Sequence, residues 1–307
     1  MKKLADEKNI LLAQKHSGLI PEEISNQIIQ KTLTDSAVMK LCRKVTMEQP
    51  KVKVPVLADV TGKAAFVSEL QSIPILQPKV VDVILEAKRL SFIIPCSGDF
   101  NDLTVLDLMK SYQDVITQTL INLVDQSILV GAKEIGSSED KVFPTVLDAA
   151  ILQKVEVPEA NASGVALLDG VSDAMQKVTD NNFKVDGILG NLGVENTLRK
   201  MKDTTNNFLF PDTSKLFGKN MNYTNIFTQD NAVAIVGDWS RCLYGIYKNI
   251  RYDFFDSGTV KVSETEEINL IQNYAAALRI TVYVASNIVY KDAFSAVTVK
   301  KATQVGS

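Results

Sequence analysis

Few residues of this chain are of the types that carry out chemistry. Its 307 residues include one histidine, His16, and three cysteines, Cys42, Cys96 and Cys242. Because the histidine lies alone in a polar N-terminal stretch, we expect no Ser-His-Asp triad, no HExxH zinc site and no multi-histidine metal site. The cysteines are far apart and odd in number, which favours reduced thiols in a cytoplasm over disulfides or metal ligands. We therefore predict no metal and no cofactor.

Three glycines form a stretch that faintly suggests a phosphate-binding loop. Gly187, Gly190 and Gly193 lie between a predicted strand and a predicted helix, where backbone N–H groups could meet a phosphate. Their spacing matches neither G-x-G-x-x-G nor a Walker A motif, and no Lys-Ser or Lys-Thr pair follows. An α/β enzyme with a ligand site near these glycines is kept as a less favoured alternative, since glycines often only mark turns.

Composition and charge narrow the class of protein further. The chain is 46% hydrophobic and 22% charged, with 33 basic against 36 acidic residues and a formal net charge of -3. These values are typical of soluble globular proteins and argue against a sequence-reading nucleic-acid binder with a concentrated basic face. The first nine residues lack the apolar region of a secretory signal. No apolar run approaches the ~20 residues that span a bilayer.

One long helix organises the middle of the chain. Apolar residues recur every three to four positions between residues 101 and 131, which predicts a helix over 102–130. Asp102 is the expected N-cap, and Gly131 is the expected stop because glycine readily adopts a positive φ. At about 1.5 Å per residue the helix is roughly 40 Å long.

A hairpin is predicted before that helix, over residues 51–69. Lysines alternate with valines from Lys51 to Val56, a turn follows at 61–63, and residues 64–67 return as the second strand. Such a two-stranded ribbon cannot build its own core, so it must lie against something. The residues alone do not decide whether the hairpin is a flap on its own subunit or an arm that reaches onto a neighbour. The candidate contact residues are Lys53, Val56, Lys63, Phe66 and Glu69.

The remaining pattern indicates a mixed α/β chain. Upstream of the hairpin we predict a polar arm over 1–18, a short helix over 21–33 and a strand after Val38; between the hairpin and the long helix, residues 79–95 form two strand segments. A charged linker over 132–144 precedes an α/β unit. That unit has helices over 165–178 and 194–201 and strands over 183–189, 220–226 and 232–236. A strand over 243–255 follows, and residues 269–283 could be helix or strand.

The order of these pieces resembles the major capsid proteins of tailed bacteriophages, with the Hong Kong 97-type fold. The resemblance covers about residues 19–294. It is carried by the segments LIPEEISNQIIQKTL, FVSE at the end of the hairpin, SFIIPCSGDF, the helix end ILVGA, GDW followed by YGIYKNI, and ALRITVYVASNIVYKDAF. Each segment alone is weak, but their order and spacing together make the match strong.

The resemblance implies an α+β fold with an N-terminal arm, an extended hairpin or E-loop, a peripheral domain with a long spine helix, and an axial α/β domain. The implied boundaries are the arm and short helix at 1–35, the first part of the peripheral domain at 36–50, the hairpin at 51–78, the peripheral domain with its spine helix (102–130) at 79–139, the axial domain at 140–252, and the peripheral return segment with the tail at 253–307.

It also implies a structural major capsid protein, not an enzyme, that self-assembles into hexamers and pentamers of an icosahedral shell around phage double-stranded DNA. The implied partners are other copies of the chain, a scaffolding protein, portal and head-decoration proteins, and DNA bound non-specifically, with no membrane. The implied location is the virion capsid, assembled in the host cytoplasm. An encapsulin-like nanocompartment shell is the alternative; the polar arm and the hairpin favour the phage interpretation.

Some proteins of this family cross-link themselves through a hairpin lysine and an asparagine of a neighbour, assisted by a glutamate. Lys63 and Asn273 are the nearest candidates here, but the stretch after Asn273 holds no carboxylate. A lysine without a nearby base stays protonated and is not a nucleophile. The sequence therefore favours Lys63 as a solvated charge, with cross-linking as the less favoured alternative.

Overall fold

The protein is described by a computed structural model over residues 28, 30–32, 34–61, 66–68, 72–73, 75, 77–97, 105–135, 141–158, 164–210, 212–226, 231–261 and 267–300. These residues form an α+β fold, which confirms the predicted class. The predicted arm, the N-cap Asp102 and most of the helix predicted over 21–33 lie outside the described residues. Residues 30–32 and 34–35 are helical. No helix of the described part is long and apolar enough to cross a membrane.

Helices and strands are numbered in chain order. The helices are α1 (Val105–Leu129), α2 (Val146–Ile151), α3 (Val165–Asp180) and α4 (Leu192–Lys200). The strands are β1 (Arg43–Met47), β2 (Lys51–Thr61), β3 (Gln77–Glu86), β4 (Lys88–Ser97), β5 (Val155–Pro158), β6 (Gly187–Asn191), β7 (Lys215–Leu216), β8 (Lys219–Thr224), β9 (Ala232–Gly237), β10 (Cys242–Phe255), β11 (Thr259–Lys261), β12 (Glu267–Asn269), β13 (Ala275–Ile288) and β14 (Phe294–Lys300).

Helix α1 packs on one face of a four-stranded sheet with the order β1-β10-β13-β4. Residues spaced four apart form its buried face, and β13 supplies alternate residues from the sheet side, as helix and strand periodicities require. These buried residues are Ile116, Leu120, Val124 and Ile128 of α1 and Leu278, Ile280, Val282 and Val284 of β13. The helix ends as predicted at Gly131, where φ is +102° and the amide donates to the carbonyl of Gln126 at 2.9 Å.

A second, six-stranded sheet has the order β5-β14-β9-β6-β8-β7. Successive residues along its strands point to opposite faces: Ile188 packs with α3 and α4, whereas Leu189 joins the core shared with α1 and α2. The helices predicted over 165–178 and 194–201 are confirmed as α3 and α4. The two sheets therefore share one continuous core, and α3 and α4 cover the far side of the second sheet.

The sheets divide the chain differently from the predicted domain boundaries. Strand β10 belongs to the four-stranded sheet although most of it falls in the predicted axial segment 140–252. Strand β14 lies between β5 and β9 in the six-stranded sheet, although the predicted return segment 253–307 contains it. Both strands pair with partners far away in sequence, which local patterns do not encode.

The predicted return strand of the hairpin is wrong. Residues 66–68 are not in a strand, and β2 instead pairs with β3 from Lys51↔Glu86 to Thr61↔Gln77. This register sets valines opposite branched or large apolar residues, pairs that stabilise a ladder better than the alanines at 64 and 65 could. The two strand segments predicted over 79–95 are confirmed as β3 and β4.

The strand predicted after Val38 is also wrong up to residue 42, where the chain forms turns before β1. Asp125 of α1 accepts hydrogen bonds from the hydroxyl of Ser36 at 2.5 Å and the amide of Ala37 at 3.3 Å, and the Ser36 oxygen accepts from the amide of Met39 at 2.9 Å. These contacts curl the chain against the helix. Residues 269–283, left open between helix and strand, mostly form β13.

Candidate inter-subunit site

The β2–β3 hairpin has one apolar face. Opposed residues of an antiparallel pair share a face, so the register places six apolar side chains together. They are Val52, Val54 and Val56 of β2 and Val81, Val83 and Leu85 of β3. The other face is mixed: Lys51, Lys53, Asp82 and Glu86 share it with Pro55, Leu57, Val80 and Ile84.

The base of this face is covered within the subunit. Leu85 is fully buried and packs with Met47, Leu243 and Ala285 of the four-stranded sheet, together with half-buried Val52 and Val54. The amide of Ala87 donates to the carbonyl of Pro50 at 2.8 Å and closes the base. The hairpin is therefore fixed to its own sheet at one end.

Apolar side chains become exposed farther along the hairpin and its connection. The exposed fractions are 45% for Val81, 57% for Val80, 76% for Ile75 and 80% for Ile73, and Phe66 is fully exposed. Val81 lies on the apolar face and Val80 on the opposite one, so both faces of the distal hairpin expose apolar side chains that no described residue of the same chain covers.

Of the five predicted contact residues, three can be placed. Lys53 is exposed on the mixed face, Val56 is half-buried on the apolar face, and Phe66 is exposed in the connection. Lys63 and Glu69 lie outside the described residues. Asn273 is exposed in the turn between β12 and β13. The Lys63–Asn273 pair therefore stays a prediction.

Sequence reasoning missed the apolar residues of β3 and of the connection before it. A return strand at 64–67 leaves Val80, Val81, Ile73 and Ile75 out of the predicted contact residues. The signal was present, since KVVDVILE continues the alternation that begins in β2.

A second uncovered surface lies on the four-stranded sheet, opposite α1 and beyond the hairpin base. Asp253 accepts from Arg279 at 2.8 Å and from Arg251 at 3.0 Å, and the Arg279 guanidinium lies 4.8 Å from the centre of the Phe255 ring. Burial opposes ionisation of Asp253, but these hydrogen bonds outweigh it and hold the pKa of its carboxyl below the usual range. The group is an ordered, charged patch suited to contact rather than to chemistry.

The glycine stretch is a packing feature. Gly187 lies against Leu41 and Trp239, and its carbonyl accepts from the Trp239 indole at 3.0 Å. A Cβ on Gly190 would lie 2.8 Å from Met221, and the amide of Gly193 is capped by the Asn191 side chain at 3.1 Å. These contacts explain the glycines without a phosphate. Among the described residues, no group of three or more acidic, histidine or cysteine side chains could hold a metal ion.

Comparison with known proteins gives consistent results. Residues 17–299 match the phage capsid family. The major capsid protein of Staphylococcus phage 80alpha is 23% identical over 294 residues, covering 94% of this chain and 87% of that protein. A chain from Microbacterium phage Oxtober96 has a TM-score of 0.67 at 20% identity (86% of this chain, 91% of that one), and a chain from Mycobacterium phage Adephagia has 0.66 at 24% (87% and 91%).

The fold and these matches define a structural protein of a self-assembling shell. The chain belongs to the phage capsid family, whose members build the virion shell. The predicted Hong Kong 97-type fold is confirmed. Its homologues are structural proteins, so the chain is a shell subunit rather than an enzyme, and an encapsulin-like shell is not better supported.

Proposed function

We propose that this chain assembles into hexamers and pentamers that close an icosahedral shell around phage double-stranded DNA, each hairpin lying on a neighbouring subunit. One observation carries the proposal: the hairpin is folded and anchored at its base, yet it exposes Val80, Val81 and Ile75. Apolar surface that the subunit leaves in water is buried when a neighbour covers it.

The hairpin contact acts together with other modest contacts. In a closed shell each subunit touches several neighbours, so weak contacts cooperate because the later ones form within an existing ring. The net charge of -3 suits containment of DNA better than tight binding of its phosphates.

We assign the axial domain to the six-stranded sheet with α2, α3 and α4, which corresponds to residues 141–237 and 294–300. The peripheral domain then comprises α1 with the four-stranded sheet, and the hairpin extends over residues 51–86. This assignment follows the strand order, and it moves β10 and β14 relative to the boundaries expected from sequence.

A scaffolding protein, a portal and head-decoration proteins are proposed as further partners, and the host cytoplasm as the place of assembly. These follow from the family rather than from any surface of the chain.

The test is electron microscopy and light scattering of the purified protein, with and without a co-expressed scaffolding protein. We expect rings or closed shells from the natural chain. Val81→Asp, which places a charge on the apolar face of the hairpin, should abolish them while the subunit stays folded. The matched control is Asp82→Asn, the next residue on the opposite face, which should assemble normally. Monodisperse monomers of the natural chain under both conditions would sink the proposal.

The Lys63–Asn273 cross-link is a separate, minor proposal. If it forms, assembled shells boiled in detergent should yield covalent oligomers, and Lys63→Arg should abolish them. Monomers alone on the gel would leave Lys63 as a surface charge.

A further inference from the structure

Two side chains beyond the apolar base hold the hairpin by its backbone. The amide group of Asn287, near the end of β13, donates to the carbonyl of Ile84 in β3 at 2.8 Å. The hydroxyl of Tyr290 donates to the carbonyl of Leu57 in β2. Each strand of the hairpin is therefore bound by one side chain, β3 by Asn287 within β13 and β2 by Tyr290 just after β13.

The Tyr290 contact lies where the hairpin ladder is irregular. The pairing of β2 with β3 is regular from Lys51 to Leu57 and shifts between Leu57 and Asp59. A bulge bends a strand and changes its local twist, so the direction of the distal hairpin is set at this point. Tyr290 binds the last carbonyl before that change.

The position of Tyr290 is fixed independently of the hairpin. Its ring packs against Phe183, which precedes β6 of the six-stranded sheet, with 5.4 Å between ring centres. The guanidinium of Arg241 lies over the Tyr290 ring, 5.7 Å from its centre. Arg241 in turn forms an ion pair with Asp238 at 3.1 Å. The tyrosine thus connects three parts of the molecule: the hairpin, the entry to β10 and the six-stranded unit.

We propose that Tyr290 and Asn287 are positioning residues for assembly: they fix the angle at which the hairpin leaves the subunit, and Tyr290 ties that angle to the six-stranded unit. The inference rests on the proposed function only where assembly is the readout. Subunits of hexamers and pentamers meet at different angles. A hairpin tied to the six-stranded unit would shift its position on the neighbour whenever that unit changes its orientation.

The test removes one atom. Tyr290→Phe keeps the ring and its packing against Phe183 but deletes the hydroxyl that donates to the carbonyl of Leu57. The matched control is Tyr283→Phe, the same change within β13. Spin labels on Val80→Cys, at the level of Leu57, and Ser172→Cys, exposed on α3, report the distance from hairpin to six-stranded unit. The native cysteines are buried and should not be labelled.

In unassembled subunits we expect one narrow distance distribution for the parent chain and for Tyr283→Phe, and a broadened one for Tyr290→Phe at unchanged thermal stability. Without labels, Tyr290→Phe should raise the subunit concentration needed for assembly about three- to tenfold, the effect of losing one hydrogen bond. Asn287→Ala should act in the same direction.

An unchanged distance distribution and an unchanged assembly threshold in Tyr290→Phe would overturn the inference. If the natural chain did not assemble at all, the proposed function would fail, but the spin-label distances would still decide whether Tyr290 positions the hairpin.

Discussion

The β2–β3 hairpin and helix α3 have equally regular apolar patterns, but they differ in how completely the subunit buries their apolar side chains. Helix α3 buries Val171, Ala174 and Val178 completely against the six-stranded sheet. The β2–β3 hairpin alternates as regularly, yet Val81 remains 45% exposed. The difference is the second layer: a sheet lies under α3, whereas no described part of the subunit lies over the distal hairpin. A regular apolar pattern whose apolar face stays uncovered in the subunit therefore indicates a contact between copies.

The same substitution in the two regions gives the largest contrast. Val171→Asp places a carboxylate in a fully buried site without a partner and should destabilise the subunit by more than about 4 kcal/mol. Val81→Asp should change the free energy of unfolding by less than about 0.5 kcal/mol, because its site is partly in water. Urea unfolding of unassembled subunits measures both. Similar losses for the two variants would mean that the hairpin belongs to the subunit core.

A pH titration separates the core around α1 from the hairpin. Burial, opposed by hydrogen bonds from Ser36, Ala37 and Val38, raises the pKa of Asp125 to about 6. The folded subunit therefore binds this proton more tightly than the unfolded chain, whose carboxyl has a pKa of ~3.9. The stabilisation is complete below that value and is lost as the pH rises through about 6, by at most about 3 kcal/mol.

Asp125→Asn should remove this part of the pH dependence, because the amide does not titrate. The measurement is the free energy of unfolding between pH 4 and pH 8. Gln118→Ala, a change at an exposed residue of the same helix that does not titrate, is the control and should keep the slope of the parent chain. The same pH dependence in the parent chain and in Asp125→Asn would contradict a raised pKa of the buried Asp125 carboxyl. Lys40 and the buried thiol of Cys42 are the other ionisable groups near it.

Much of the architecture could be predicted from sequence, and the two strand predictions that failed both depend on contacts between residues distant in sequence. Helices α1, α3 and α4 follow from local periodicity, and Gly131 ends α1 as its type suggests. The return strand failed because β2 pairs with β3 rather than with residues 64–67, and the strand expected after Val38 failed because Ser36 and Ala37 bind Asp125. Periodicity tells that a residue is in a strand, but pairing depends on side chains distant in sequence.

The candidate site divides in the same way. The sequence singles out Val56 and Phe66 as contact candidates because it predicts a ribbon without its own core there; Val56 lies on the apolar face and Phe66 in the connection, and their contact with a neighbour stays a prediction. Tyr290 and Asn287 could not be singled out, because their role depends on carbonyl groups of Leu57 and Ile84, more than 200 residues earlier in the chain. A polar side chain that binds a backbone carbonyl leaves no pattern in sequence.

Substitutions at two glycines distinguish the packing of α3 on the sheet from the glycine stretch at 187–193. A Cβ on Gly170 of α3 would lie 2.5 Å from the Val157 side chain and 3.2 Å from Val297. Gly170→Ala should therefore cost about 1–3 kcal/mol as α3 is pushed from the sheet. The nearest atom to a Cβ on Gly193 is 4.0 Å away, so Gly193→Ala should be neutral or stabilise α4 by up to about 1 kcal/mol. Thermal unfolding of both variants measures this, and a large loss at Gly193 would contradict its role as an ordinary capped residue.

The smallest effect is expected at the hairpin base, where two kinds of contact lie side by side. Lys51 and Glu86 form an ion pair at 3.6 Å, but both side chains are more than half exposed. Solvent screens such a pair, so Lys51→Ala should cost no more than about 0.5 kcal/mol. Leu85→Ala, one residue from Glu86 and fully buried, should cost about 2–5 kcal/mol. Unfolding by urea in low and high salt separates the two, since only the ion pair responds to salt. If Lys51→Ala proved the more damaging change, the hairpin would be held by charge rather than by the apolar base, and the contrast between its anchored and uncovered parts would have to be drawn elsewhere.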